Sequence, residues 1–414
     1  MKALVAVEIS ERWLKVVVAK PSAKPPELLN CLVRPLSGLT DEQTTQTLAV
    51  AFRDLKVRPR PLIVCLPRNL VTVRNLHLPS QDPREIGQMI DLNIVRMVPY
   101  QKEEVLSSYQ VLDVDEAGYS RVLLAIVHQE IVRRQVNLLR VAGLSADRIL
   151  LGSYALRDWV VSRHKQVLKS QGLHLLLDVD AGFTDLVLFS RDHLYFSRTI
   201  AIEPNQLTEE AGRSRLRTET EQALEIFQNE EMNARPATVF LSGAVGSGEA
   251  IKRTLEEALR IPTVVVQSPL ASLGKDRVLI TQDIPSEVSL TAVMELGIEE
   301  GPKRLAFLLP ELQIRQALKE RTRDFVLLGS LGVYLLTIVG GILTIRPYHQ
   351  QAYLQTLQAR NQMLRQELGD LTATAHRVEL IKDYLNVREL PLRYLTELQR
   401  KDVTEFELAL QVHL

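Results

Sequence analysis

The chain has 414 residues, 46% hydrophobic and 24% charged, and its 50 Lys and Arg balance 50 Asp and Glu to a formal net charge of zero. That balance excludes a nucleic-acid binder held by overall charge, which would need a surplus of basic side chains. With only two cysteines, Cys31 and Cys65, the sequence excludes a disulfide framework and a cysteine metal cluster, and both residues sit in apolar strand-like runs that read as core.

Strand-like runs open the chain. ALVAVEI and LKVVVAK flank a polar turn at residues 10–12, which predicts a hairpin with its tip near Glu11. The start, MKALVAVEIS, is too short an apolar run for a secretory signal, so the first domain is expected in the cytoplasm. Further strands are predicted at LLNCLVR, PLIVCLP and VTVRNLHLP. Ile86, Met89, Ile90, Ile94 and Met97 recur at helical spacing, predicting a helix over 83–98 that Pro99 stops. The strands SSYQVLDV and RVLLAIV follow, then a helix over 128–141 with Gly143 as its C-cap.

The second half repeats the opening theme with HLLLDVD, TDLVLFS and HLYFSRTIAI, then a helix over about 206–229. TVFLSG predicts a strand that enters the glycine-containing loop GAVGSG and the helix EAIKRTLEEAL, and TVVVQ is expected to be the last cytoplasmic strand. Two halves that each begin with an acidic strand end and a hairpin predict a duplicated α/β architecture with a cleft between the halves.

Residues 325–345, FVLLGSLGVYLLTIVGGILTI, carry no charge over the length needed to cross a bilayer as a helix. The competing reading is a buried core helix, which would rarely stay so long without a polar face. Arg315, Lys319, Arg321 and Arg323 lie upstream and little beyond Arg346 lies downstream, so the large part is expected to be cytoplasmic and the tail periplasmic. Past this run Leu354, Leu357, Asn361, Leu364, Leu368, Leu371, Ala375 and Val378 alternate spacings of three and four. That is the heptad seam of a coiled coil, with Asn361 at a core position that fixes register, and it predicts at least a dimer.

The strand-turn motifs bring a family into view. LLLDVDAGFTDLVLF, with Asp178, Gly182, Phe183, Thr184 and Asp185, resembles the second phosphate hairpin of the actin, sugar-kinase and chaperone ATPase fold. FLSGAVG, with Ser242, Gly243 and Gly246, resembles its adenosine loop. AVEISERWLKVVV resembles the first phosphate hairpin, with Glu8 in place of the usual Asp, Ser10 in place of the usual Gly, and Lys15 on the returning strand. VCLPRNLVTVRNLHLPSQDPREIGQMIDLNIVRMVPYQKEEVLSSYQVL, together with LRTETEQALEIF and its Glu219, is similar to the PilM family of type IV pilus assembly and to its relative GspL of type II secretion.

The resemblance implies an actin-like, ribonuclease H-like duplicated cytoplasmic domain over 1–300, with ATP and Mg2+ as possible ligands and Asp178 the residue that would meet the magnesium. Two readings of these loops stay open. Ser10, Glu11 and Asp180 occupy positions where glycine permits close approach of a phosphate, so the loops either hold nucleotide or serve only as capped turns. No catalytic arrangement emerges: the eight histidines are scattered and no nucleophile elbow or metal motif is present.

Ahead of the membrane run, Phe307, Leu308, Leu309 and Pro310 resemble the Asn-Leu-Leu-Pro segment by which PilN partners dock on PilM. Residues 301–324 are therefore expected to be a docking segment joined to its own receptor, against the alternative of a basic amphipathic helix on the headgroups. Segment 325–345 is the expected transmembrane helix, 346–385 a coiled-coil stalk, and 386–414 the start of a small periplasmic α/β region that closes on the strand EFELALQVHL. The implied function is a bitopic inner-membrane scaffold linking a cytoplasmic assembly ATPase to PilO-like or GspM-like platform proteins. A GspL-like secretion component and an active ATPase resembling FtsA are the alternatives.

Overall fold

The computed structural model describes residues 2–20, 27–169, 172–231, 235–246, 248–266, 278–280, 288–296, 305–307 and 309–410. The chain divides into two compact units, Met1–Arg315 and Gln316–Leu414.

The first unit opens with the antiparallel strands β1 (Lys2–Ile9), β2 (Trp13–Lys20) and β3 (Glu27–Pro35). Helix α1 (Asp41–Leu55) then carries the chain across to β4 (Arg58–Leu66), parallel to β1. Thr40 and Gln43 close a reciprocal capping box at the start of α1, satisfying two N–H groups that the first turn would leave orphaned. An excursion follows through β5 (Thr72–Leu78), α2 (Pro83–Met97), β6 (Val105–Val114) and β7 (Ser120–His128), whose strands form a separate sheet in the order β5-β7-β6. Ile86, Ile90 and Ile94 line one face of α2 and bury it against Val122, Leu124 and Ile126 of β7. Helix α3 (Gln129–Val141), strand β8 (Arg148–Leu151) and helix α4 (Gly152–Arg163) complete the half, with β8 parallel to β4.

The same pattern then recurs. β9 (His174–Asp180), β10 (Phe183–Phe189) and β11 (Leu194–Ile200) are antiparallel; α5 (Glu210–Glu231) crosses to β12 (Thr238–Gly243), parallel to β9; and α6 (Glu249–Leu259) crosses to β13 (Thr263–Val265). The strand order β11-β10-β9-β12-β13 repeats β3-β2-β1-β4-β8. This is the expected duplication. Every residue of β9 is buried, as a strand covered on both faces requires. Cys31 and Cys65 are free and buried in the first half's core.

A strand beyond TVVVQ corrects the expectation that it is the last one, and a helix follows it. β14 (Val278–Ile280) pairs parallel with β3, and α7 (Thr291–Leu296) packs on α4 and on the first sheet. Residues 305–307 and 309 then run along the edge of β8: the Phe307 N–H donates to the Ile149 carbonyl at 2.9 Å, and Leu305, Phe307 and Leu309 are buried in the first half's core. Pro310 opens α8 (Pro310–Leu410), a position where its missing N–H costs nothing.

Helix α8 contains the apolar run 325–345, of which the side chains at 328–340 are described. Among the described residues no helix is long and apolar enough to cross a membrane. The strand expected over 405–414 is helix as far as Leu410, and 411–414 lie outside the described residues. Glu, Leu and Ala are strong helix formers, and with no neighbouring strand to pair with among the described residues the local preference prevails.

Candidate functional site: two facing hairpins

The duplication brings two matching strand ends into the cleft. Glu8 on β1 lies in register with Lys15 on β2 and Cys65 on β4; Asp178 on β9 lies in register with Asp185 on β10 and Ser242 on β12. Lys15 is only 2% exposed and its ammonium spans the two halves, 2.7 Å from Glu8 Oε1 and 2.5 Å from Asp180 Oδ2. The loop before α7 closes over the same point. Ser289 donates its N–H to Asp180 Oδ1 at 2.8 Å and its hydroxyl to Asp178 Oδ1 at 2.9 Å, and Ser242 donates to the same Asp178 oxygen at 2.5 Å.

Burial sets the charge states. Desolvation pushes the Asp178 carboxyl up to about 7, against the hydrogen bond from Ser242, with the Asp180 charge adding to the rise. Desolvation likewise pushes Asp185 up to about 7, opposed by the Thr199 hydroxyl that donates at 2.8 Å and by the Arg68 charge. Glu8 is raised by burial, which outweighs the attraction of Lys15. Burial alone would lower Lys15, but Asp180 and Glu8 outweigh it and raise the ammonium above its ordinary range. Lys15 is therefore a fixed cation.

Of the expected nucleotide residues, Glu8, Lys15, Asp178, Phe183 and Asp185 converge on one small cavity, and Ser242 reaches it through Asp178. Gly182 shapes the tight turn between β9 and β10 with φ +92°. Ser10 serves its own turn, donating to the Trp13 carbonyl and accepting from the Trp13 N–H, and Thr184 donates to the Ile202 carbonyl. Glu219 lies elsewhere, 3.6 Å from Arg198. Gly243 has φ +88°, and a Cβ there would stand 2.1 Å from the Val179 carbonyl oxygen, so only glycine lets the loop cross β9. Gly246 borders a second cavity of about 390 Å3 with Leu207, Thr208, Arg213 and Ile251. Sequence reasoning missed Ser289, which follows an uninformative stretch, and Arg68, which stood in view only within the run VCLPRNLVTVRNLHLP. A larger groove of about 840 Å3 between α1 and α3 lies away from both hairpins.

With the Lys15 bridge closed, the cleft has no room for the phosphates of magnesium ATP. The cavity beside Lys15 measures about 20 Å3, room for about one water. Its walls hold the carboxyl groups of Glu8, Asp178, Asp180 and Asp185 against two cations, the Lys15 ammonium that two of them already share and the Arg68 guanidinium bonded to Val71 and Ser197. A triphosphate there would meet a wall dominated by carboxyl groups in a space far too small for it. Among the described residues no group of three or more His, Cys, Asp and Glu is arranged to hold a metal ion.

Residues 39–214 match the family model of the type IV pilus assembly protein PilM. No curated protein matches the chain significantly. Among solved structures, the PilM–PilN type IV pilus biogenesis complex is 20% identical with a TM-score of 0.58, over 72% of this chain and 99% of that one. A Bacteroides thetaiotaomicron protein of actin-like ATPase fold and unknown function is 12% identical with a TM-score of 0.43, over 72% of this chain and 96% of that one. The cytoplasmic domain of EpsL, an inner membrane component of the type II secretion system of Vibrio cholerae, is 12% identical with a TM-score of 0.41, over 72% and 97%. The duplicated sheets and facing hairpins share their fold with the PilM–PilN structure, and over residues 39–214 the chain is similar to the type IV pilus assembly protein PilM.

Proposed function

We propose that this chain is a bitopic inner-membrane scaffold of a type IV pilus assembly platform, joining a PilM-like domain and a PilN-like docking segment in one polypeptide. The observation that carries the reading is the burial of Phe307 and Leu309, 0% and 1% exposed, along the edge of β8 just ahead of the apolar run. Leu308, between them, lies outside the described residues. A segment tethered to its own receptor needs little intrinsic affinity to stay bound, because the tether keeps its local concentration in the range of millimolar.

The apolar run supports the anchor. From 328 to 340 Leu328, Leu331, Val333, Tyr334, Leu335, Leu336, Ile338 and Val339 are all exposed, so the helix presents apolar side chains around its circumference, a surface suited to lipid. The basic residues upstream put the first unit on the cytoplasmic side, within reach of an assembly ATPase, and the tail on the periplasmic side with PilO-like partners. The family model describes pilus assembly, which favours that reading over type II secretion. The filled cleft favours a scaffold over an FtsA-like ATPase, since nucleotide would have to open the Lys15 bridge before it could enter.

Membrane fractionation of the full chain, with a periplasm-dependent reporter fused after Leu414, tests the proposal. The expected result is a protein that resists alkaline extraction and carries an active reporter. A chain recovered in the soluble fraction, or a reporter active only when retained in the cytoplasm, overturns it.

A further inference from the structure

A further concavity, of about 190 Å3, lies between β5 and β11. Its lining includes Arg68, Arg74, Arg198, Asn75, Ser197 and Phe196, and no acidic residue among the described ones. Arg68, from the turn that precedes β5, is 9% exposed. Its Nε donates to Ser197 Oγ at 3.0 Å and to the Ser197 carbonyl, and its two terminal nitrogens donate to the carbonyls of Val71 and Ser197. All of these acceptors are neutral. A guanidinium carries five N–H groups, so one on each terminal nitrogen is left over.

A buried cation held by neutral acceptors is costly unless a countercharge is supplied. Burial brings the Arg68 guanidinium down to about 10, with the neighbouring Arg74 charge lowering it further and Asp185 acting through space in the opposite sense. Arg74 is exposed, and Arg198 has only a loose contact at 3.6 Å with Glu219. Asn75 contributes a buried amide oxygen without a hydrogen-bond partner. Rotation of that amide by half a turn would present two N–H donors in place of the oxygen.

We propose that this cavity binds a compact oxyanion, free phosphate or the phosphate group of a small monoester, held by Arg68, Arg74 and Arg198 with the Asn75 amide as a further donor. Planar guanidinium forks match phosphate oxygens in pairs and bind them more strongly than neutral donors do. The volume falls below the ~300 Å3 at which sites for drug-sized ligands begin, so a nucleoside polyphosphate is too large and a phosphate group with few further atoms is not. Because β5 and β11 belong to different sheets, the bound anion ties the excursion sheet to the second half.

The test is calorimetric titration of the full chain in detergent micelles with inorganic phosphate, against chloride at matched ionic strength, with a second arm using glycerol 3-phosphate. Saturable binding at one site is expected, weakened about tenfold or more in Arg74→Ala, an exposed position whose replacement leaves the fold intact, and partly retained in Arg74→Lys. Tighter binding of glycerol 3-phosphate assigns the site to an ester, and tighter binding of phosphate assigns it to the free anion. Heats no larger than those of the chloride control, or equal affinities in the parent and Arg74→Ala, overturn the proposal.

Discussion

Lys15 decides what the cleft can do. Its ammonium holds two carboxylates that burial would otherwise make expensive, so Lys15→Met should destabilise the protein by about 3–5 kcal/mol, the range for removing one partner of a buried ion pair. Thermal unfolding should show most of that loss recovered when Glu8→Gln and Asp180→Asn are added, because the orphaned charges go with them. A midpoint unmoved by Lys15→Met would mean that the bridge contributes nothing. Asp185 supplies a second expectation, this one in pH. Its carboxyl is raised to about 7 in the fold, mainly by burial, from an ordinary value of 3.8. Between about pH 4 and pH 7 the folded state therefore holds a proton that the unfolded state has released, so this residue's contribution falls as pH rises, by at most about 1.4 kcal/mol per unit, and is constant above. Asp185→Asn should gain stability relative to the parent between pH 5 and pH 8; parallel unfolding midpoints across that range would show that Asp185 ionises normally. At this scale the sequence exposed Glu8, Lys15, Asp178 and Asp185 through their place at strand ends. It hid the outcome, because which cation neutralises which carboxylate depends on the distance between hairpins more than 150 residues apart, and on Ser289 arriving from a third segment.

Among the elements, the run along β8 at 305–309 is the one with a functional consequence. Phe307 is fully buried and its N–H bonds the Ile149 carbonyl, so truncation to alanine removes a contact in the range of about 3–5 kcal/mol from a short segment that Leu305 and Leu309 also hold. Hydrogen exchange should then accelerate at 305–309 in Phe307→Ala while β9 and β10 keep their protection. Unchanged exchange in the segment would show that it does not rest on this anchor. Strands with alternating or continuous apolar runs were legible in advance, from the opening hairpin to β12, and so was α2 from its isoleucine spacing. Other elements were not, for distinct reasons. Helix α1 announces itself only by the capping box at Thr40 and Gln43, since its apolar stripe of Leu48, Ala51, Phe52 and Leu55 is short. Helix α4 is buried on most sides, which erases the polar face by which a helix is recognised. Strand β14 has three residues and exists through its pairing with β3, a contact no local pattern encodes. The closing run EFELALQVHL alternates like a strand, yet its helix-forming residues extend α8 through Leu410.

For the molecule as a whole the open question is what covers the seam of α8. Leu354, Leu357, Leu364, Leu368, Leu371 and Val378 are all about half exposed or more, and burying each fully against a second helix is worth at most about 1.5–3 kcal/mol. With Asn361 and Ala375 between them, these residues alternate spacings of three and four and lie in one stripe, and a second copy of the chain offers an identical stripe to meet it. Asn361, where the spacing falls on a core position, lowers the stability of that pairing and in return restricts it to two strands in one register. Sedimentation of the full chain in detergent should therefore report a dimer. The double variant Leu364→Asp and Leu371→Asp, which puts charges into the stripe without touching the first unit, should sediment as a monomer. Asn361→Leu should stay associated but spread into larger assemblies, because the register is then no longer enforced. A parent chain that sediments as a monomer at micromolar concentration would remove self-association through this stripe, and the leucines would then have to be covered by a different helix with the same spacing.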